Sequence, residues 1–263
     1  MYQDKRNKIQ AFFLGIQVLL FILLITGTFQ IAHKFCPYAN VCFGTLGMNK
    51  IIPHLLFPLT MIVGLLIALS SIFWGRIFCS HVCIFGTIQE MLFMTRNQKY
   101  RLTKRVPYYI DKNLMWVKYL VFIATLVAGI FSLSYLYMKF CPVMVISYPV
   151  QITIAGGITL IILLLGTFLT ERLWCRYFCP YAAFMNVLQY IFGRIGIKRS
   201  MVYRNMEVCI DCGACNRNCP MNIEIKEKEY IKNPNCIQCR ICVDKCPKKG
   251  ALSECIECPY RKN

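Results

Sequence analysis

The sequence predicts an all-α integral membrane protein, four transmembrane helices arranged as two repeated hairpins, followed by a small C-terminal cytoplasmic α+β domain. Three observations lead there: four long apolar runs, an uneven placement of basic residues between them, and a change near residue 200, where apolar runs stop and cysteines crowd together. Of 263 residues 57% are hydrophobic and 16% charged, yet the net charge is +18 and there are 17 cysteines. Disulfide scaffolds of such cysteine density are short and polar, which excludes that class. A charge this basic suggests nucleic acid in a soluble protein, so the location of the charges has to decide.

The apolar runs cover Ala11–Ala32, Leu55–Trp74, Trp116–Met138 and Ile152–Leu169, each close to the roughly 20 residues that cross about 30 Å of hydrocarbon. The first has a basic start like a secretory signal but no small-residue cleavage site after it, and is read as a retained helix. The third contains Lys118, two residues from its Trp116 end, where a long side chain is expected to snorkel to the interface. Lys and Arg number 3 before the first run, 7 between the second and third and 16 after the fourth, against 2 and 1 in the alternate segments. The positive-inside rule then places both termini, the central loop and the tail in the cytoplasm. The basic excess is a topology signal with some contact to membrane lipid, and no nucleic-acid partner is expected. The predicted organisation is a cytoplasmic N-terminus (1–10), a first hairpin (11–95), a basic linker (96–115), a second hairpin (116–199) and the tail domain (200–263).

The tail reads CIDCGACNRNCP at 209–220 and CIQCRICVDKCP at 236–247. Both fit C-x2-C-x2-C-x3-C-P, the two-cluster ferredoxin spacing, in which the fourth cysteine of each run ligates the other cluster. The domain is therefore expected to be a two-cluster ferredoxin-like α+β unit. Cys209, Cys212, Cys215 and Cys246 are expected to hold one [4Fe–4S] cluster, and Cys219, Cys236, Cys239 and Cys242 the second. Structural zinc prefers two separated CxxC pairs, and disulfides do not persist in a reducing cytoplasm.

The membrane part is duplicated. Lys34-Phe35-Cys36-Pro37 recurs as Lys139-Phe140-Cys141-Pro142, offset by 105, and GRIFCSHVCIFG (75–86) recurs as ERLWCRYFCPYA (171–182), offset by 96. Arg76 and Arg172 occupy equivalent places. Repeats of this kind build functional sites where the halves meet. Cys79, Cys83, Cys175 and Cys179 fall near the cytoplasmic surface, and C-x3-C on a helix sets two thiols about one turn apart on the same face. The sharper reading of these four is a third iron–sulfur cluster at the inner membrane face. The alternatives are buried structural cysteines, zinc, or reactive thiols facing a partner.

With four spans, Cys-x3-Cys(-Pro) motifs and a double ferredoxin motif, the chain from the first span to Pro247 resembles the membrane-bound ferredoxin subunits of the NapH and NosR type, polyferredoxin-like quinol dehydrogenase components of anaerobic respiration. One departure is Ile84, which stands where that pattern has proline; the strict form occurs only at Cys175–Pro180. NosR-like proteins also carry a large extracytoplasmic flavin-binding region, for which this chain has no room. The resemblance implies an electron-transfer subunit of an oxidoreductase in the cytoplasmic membrane. It would relay electrons between the quinone pool and a redox partner such as a ferredoxin, cytochrome or reductase subunit, as part of a complex. Two other readings stand beside it: a maturation or regulatory factor for another metalloenzyme, and a thiol reductant carrier using the outer cysteines.

The remaining cysteines carry less. Cys36, Cys42 and Cys141 fall on the outer side, either as a structural disulfide or buried thiols, or with Cys36 and Cys141 as a redox couple within the outer half of the membrane. Cys255 and Cys258 form a CxxC-Pro after the second motif, too few for a cluster alone. His33, His54 and His81 do not pair as haem ligands across the bundle, C-x-x-C-H is absent, and neither GxGxxG nor a P-loop occurs.

Overall fold

The computed structural model describes residues 2–25, 56–97, 106–131, 133, 137, 139–142, 154–226 and 228–258. Eight of its helices belong to the apolar part: α1 (Tyr2–Ile25), α2 (Leu56–Trp74), α3 (Ile77–His81), α4 (Ile84–Met94), α5 (Tyr108–Leu114), α6 (Val117–Ile130), α7 (Ile154–Thr167) and α8 (Pro180–Arg194). A single π-helical turn, Trp174–Phe178, precedes α8. The tail adds β1 (Arg199–Arg204), the one-turn helices α9 (Ala214–Arg217) and α10 (Ile241–Asp244), and β2 (Leu252–Cys258). The structure is thus mostly helical with a two-stranded antiparallel sheet, in which Met201 faces Cys255 and Arg204 faces Leu252. Its strands are the first and last elements of the tail and close that domain on itself.

Among the described residues one helical stretch, Tyr108–Ile130, is long and apolar enough to cross a membrane; Ile62–Trp74, Ile84–Met94 and Ile154–Thr167 are shorter apolar helices. That stretch begins inside the segment expected to be a linker, because Pro107 supplies the extended residue before α5 (φ −52°, ψ 138°) and Asp111 the acidic group in its first turn. In α2, Pro58 lies in the first turn, where its missing N–H has no intrahelical partner to lose. Likewise α1 starts at Tyr2 and takes in the expected N-terminal extension: Arg6 and Gln10, one turn apart, are buried while Asp4 and Lys5 are exposed.

The helices invert the pattern of a water-soluble protein. Ile62, Leu65, Leu66 and Phe73 of α2, Leu120 and Ile130 of α6, and Ile154, Ile161 and Leu165 of α7 are exposed, whereas Ser71, Lys118 and Thr167 are fully buried. Lys118 therefore does not snorkel. Its ammonium turns inward to Asn235 of the tail and lies 5.3 Å from the Tyr119 ring, because a hydrogen-bonding acceptor inside the protein replaces the water the interface would have offered.

The two helices after the inner motifs carry the packing. In α8 the buried stripe Ala182, Met185, Asn186, Gln189, Gly193 follows helical periodicity and faces α2 and α6, and α4 lies against α1 and α7. The tail docks at this level. Val202, Met221, Ile223, Ile225, Ile231, Ile237, Ile241 and Leu252 form one buried cluster with Cys79, Tyr181 and Met185 of the helical part. Burying each such aliphatic side chain is worth about 1.5–3 kcal/mol, so tail and helices share a core.

Candidate iron–sulfur sites

In the tail the two cysteine loops have the same backbone. Asp211 and Gly213 flank Cys212 with φ of 52° and 66°, and Gln238 and Arg240 flank Cys239 with φ of 52° and 58°. Left-handed residues on both sides of a cysteine turn successive amide N–H groups inward, the concave nest that suits an anionic centre. Only Gly213 adopts this at no steric cost. Arg240 is held there by its ion pair with Glu254 and by the Tyr2 ring 5.1 Å away.

Each loop lines a cavity. The first is lined by Cys209, Cys212, Cys215 and, from the other motif, Cys246. The second is lined by Cys236, Cys239, Cys242 and, again from the other motif, Cys219. The two quartets are the crossed sets expected from the spacing. The cavities differ in setting: Cys212 and the neighbouring Asp211 are exposed, whereas Cys219, Cys239 and Cys242 are buried beside Met221, Ile223 and Ile231. Arg204 Nε donates to Cys209 Sγ at 3.2 Å, and the Ile223 amide to Cys219 Sγ at 3.4 Å. Burial pushes the Cys236 thiol up to about 11 and that of Cys239 to about 12, so these thiols give up their protons only to a group that binds thiolate tightly.

The inner motifs meet as well. Cys175 donates a hydrogen bond to Cys83, which draws the Cys83 thiol down to about 6, and Cys179 is close enough to Cys79 and Cys83 for their charges to reinforce the burial that raises it to about 12. The two thiols of each pair do not share one continuous helix, as the spacing suggested. Cys79 lies in α3, while Cys83 is the extended residue before α4; Cys175 lies in the π-helical turn and Cys179 before α8. The break comes from the second cysteine, with φ −66°, ψ 109° at Cys83 and φ −70°, ψ 111° at Cys179. Ile84 begins α4 as Pro180 begins α8, so the missing proline leaves the backbone unchanged. π-Turns of this kind recur at functional sites.

Each half also reaches into the other. Arg76 Nη2 donates to the Cys175 carbonyl at 3.4 Å, and Arg172 Nη1 to the Cys79 carbonyl at 2.5 Å. Both guanidiniums are fully buried. The offset of 96 continues beyond the motifs: Arg172 pairs with Glu90, and Arg76 approaches Asn186 at 3.4 Å. Glu90 is shared with Arg6 and accepts from Gln10 at 3.3 Å. Burial acts to raise its carboxyl, but Arg172 and Arg6 outweigh burial and hold it below the ordinary range. The cysteine Cys175 is packed by Trp174, which meets Phe85 edge-on at 6.0 Å and stacks on Phe178 at 6.1 Å.

A cluster fits both kinds of site. Among the described residues no three His, Cys, Asp or Glu side chains converge on a point as a single metal ion requires; the two tail quartets instead line cavities, as the corners of an iron–sulfur cube would. Near the inner quartet Arg6 and Arg172 share the carboxylate of Glu90, Arg76 has only neutral oxygens of Asn186 and Cys175 at hand, and Nε of each arginine has no partner, leaving buried positive charge and orphaned donors for an anionic group. Space is reserved too: a Cβ at Gly86 meets Arg172 Nη1 at 2.9 Å, the Cys79 carbonyl at 3.1 Å and Cys175 Sγ at 3.6 Å.

Comparison with known proteins bears on these sites. The profile of the 4Fe-4S binding domain matches twice, at residues 56–103 and 152–198, once in each half of the repeat, and that of the 4Fe-4S dicluster domain matches 201–247. MJ0749 of Methanocaldococcus jannaschii is 32% identical over 202 residues, covering 74% of this chain and 69% of its own. NosR of Pseudomonas aeruginosa, named a regulatory protein, is 26% identical over 72% of this chain and 27% of its own. The chain belongs to the NapH/NosR-type family of ferredoxin-type 4Fe-4S proteins. YccM of Escherichia coli K12, whose name assigns it provisionally to electron transport, is 30% identical over 198 residues, and this chain spans 54% of its length. No solved structure matches.

Within this family frame, several residues were not singled out by spacing. Glu90, Asn186 and Asp111 are polar groups in or beside apolar segments, and Asn235 lies in the tail just before the second cysteine motif. Asp111 pairs with Arg176, accepts from the Tyr177 hydroxyl at 2.5 Å and from Asn222 of the tail at 3.1 Å. Extending the 96-residue register from the cysteines brings out Glu90 and Asn186; nothing so local marks the other two. Cys36, Cys42, His33 and His54 lie outside the described residues, so the pairing expected for Cys36 and Cys141 does too. Cys141 is partly buried and stands outside any disulfide, whereas Cys255 is disulfide-bonded, against the expectation that the tail holds none.

Proposed function

We propose that this chain is a multi-pass membrane electron relay with three [4Fe–4S] sites in series. The observation that carries this reading is the arrangement of the three cysteine quartets. The first tail quartet opens to the surface, the second is buried behind it, and Cys219, Cys239 and Cys242 share one apolar core with Cys79 of the inner quartet. When bound, each cluster takes up and releases single electrons without moving atoms. The chain sets their order and burial and surrounds the inner one with Arg76 and Arg172, the kind of nearby charge that tunes potential.

The outward-facing aliphatic residues of α1, α2, α6 and α7 support lipid contact on several helices, in line with four spans, and the uneven placement of Lys and Arg supports both termini and the tail in the cytoplasm. Exchange with quinol or quinone in the membrane, and use in an anaerobic respiratory chain, follow from the family resemblance. The test is iron and acid-labile sulfide analysis with electron paramagnetic resonance on the purified full chain. About twelve irons are expected, about four per quartet. Replacing Cys79 and Cys175 by serine should remove about four and leave the tail signals. Zinc in place of iron, or an unchanged iron content in that variant, refutes the three-site reading. Proteoliposomes then test the donor: quinol should reduce the clusters of the wild type and not those of the Cys79/Cys175 variant.

A further inference from the structure

The first tail cavity differs from the other two sites in what surrounds its mouth. Its lining comes entirely from residues 204–252, with no residue from α1–α8. Cys212 is exposed, Ile210 beside it is 60% exposed, and Lys226 and Lys248 line the opening, with Lys249 and Arg217 exposed next to them. The acidic groups of this loop are Asp211, already ion-paired with Arg204, and Glu207. The mouth is thus an apolar contact beside a cysteine, ringed by an excess of cations. The core shared by tail and helices holds three cysteines of the second quartet, Cys219, Cys239 and Cys242, whereas Cys212 at this mouth is exposed.

We propose that this mouth is the docking surface for a small, acidic, one-electron carrier protein, which seats on Ile210 over Cys212 and is steered by Lys226, Lys248 and Lys249. This rests on the proposed electron-relay reading and adds the partner's charge and landing place. The exchange moves one electron: an iron of the reduced carrier goes from the ferrous to the ferric state, the site held by Cys209, Cys212, Cys215 and Cys246 gains that electron, and no bond or proton changes. Complexes of this kind are small and short-lived, and complementary charge raises their rate of encounter more than their affinity.

The test uses the full chain in nanodiscs of neutral lipid, a plant-type [2Fe–2S] ferredoxin of net negative charge as probe, and the variant Lys226→Glu/Lys248→Glu/Lys249→Glu. In the wild type, oxidised ferredoxin should protect these three lysines from acetylation at low salt, and reduced ferredoxin should transfer electrons at a rate that falls at least about tenfold on going to 0.5 M salt. The variant should lose at least about tenfold in that rate at low salt, lose the salt dependence, and gain rate with basic cytochrome c instead. Its iron content and its reduction by dithionite should match the wild type. Equal rates for wild type and variant with ferredoxin, or lysines protected by anionic nanodiscs with no ferredoxin present, overturn the docking surface. Absence of iron from the wild type instead sinks the relay reading, and is distinguished by the metal analysis alone.

Discussion

Replacing Glu90 by glutamine tests how the two halves are held around the inner quartet. Glu90 is buried between two buried guanidiniums, Arg6 on one oxygen and Arg172 on the other, with Gln10 beside the second. Each contact is worth about 4 kcal/mol of Coulomb attraction at an effective dielectric near 20 and a charge separation of about 4 Å, most of it already set against the cost of taking the groups out of water. What matters is the effect of removing one charge from an assembled site. Glutamine keeps the shape but must aim its NH2 group at one of the two guanidiniums, whichever way the amide is turned, and leaves both cations uncompensated. A loss of about 3–5 kcal/mol is expected, as for other broken buried pairs. The assay is denaturant unfolding of the full chain in mild-detergent micelles followed by far-UV circular dichroism. The pH profile sharpens it: the folded pKa of Glu90 is depressed, so its contribution is present above the unfolded value of about 4.3 and is lost as pH falls through the folded one. The gap between wild type and Glu90→Gln should therefore be full at neutral pH and shrink in acid. Adding Arg6→Gln to Glu90→Gln should cost less than Arg6→Gln does alone. A Glu90→Gln protein within about 1 kcal/mol of wild type, or strict additivity of the two changes, refutes the shared-carboxylate account.

Three further outcomes are expected. Cys246→Ser, although it lies in the second motif, should remove the signal of the first tail cluster and spare the second, read by electron paramagnetic resonance and a loss of about four irons. Gly86→Ala should destabilise the chain by about 1–3 kcal/mol through overpacking, and lower iron at the inner quartet alone, since its Cβ meets the Cys79 carbonyl at 3.1 Å. Ile84→Pro should be neutral or stabilise by about 0.4–1 kcal/mol, because Cys83 already has the extended ψ of 109° that precedes a proline; a large loss by thermal denaturation would show that the two halves differ at this turn.

The tail cavities were legible because their information is local. Three cysteines two residues apart with a fourth before proline specify the loop and which cysteines line each cavity, and the left-handed residues fall where the short spacing forces the chain to turn. The pairing of the inner cysteines was legible from the 96-residue repeat. The turn between them was not, since Cys-x3-Cys reads equally as one helical turn or as the end of one helix and the start of another. Glu90, Asp111 and Lys118 were illegible for a different reason. In an apolar segment a charged residue is affordable only with a partner, and the partners, Arg6, Arg176 and Asn235, are distant in sequence. Lys118 shows the consequence: its closeness to the end of a span suggested the interface, and a tail loop more than a hundred residues away decided otherwise.

The exchange of arginine contacts between the halves bears on the order of assembly. Each half contributes two thiols to the inner quartet and sends its guanidinium to a carbonyl of the other, so the quartet does not exist until the second inner motif has been synthesised. The loop around Gln238, made later still, then closes on the site: Gln238 sits 3.1 Å from the position of a Cβ at Gly75, and Cys239 lies within electrostatic reach of Arg172. On the proposed reading, metal for the inner quartet has to arrive after Cys179 has been made and before the tail docks on the helices.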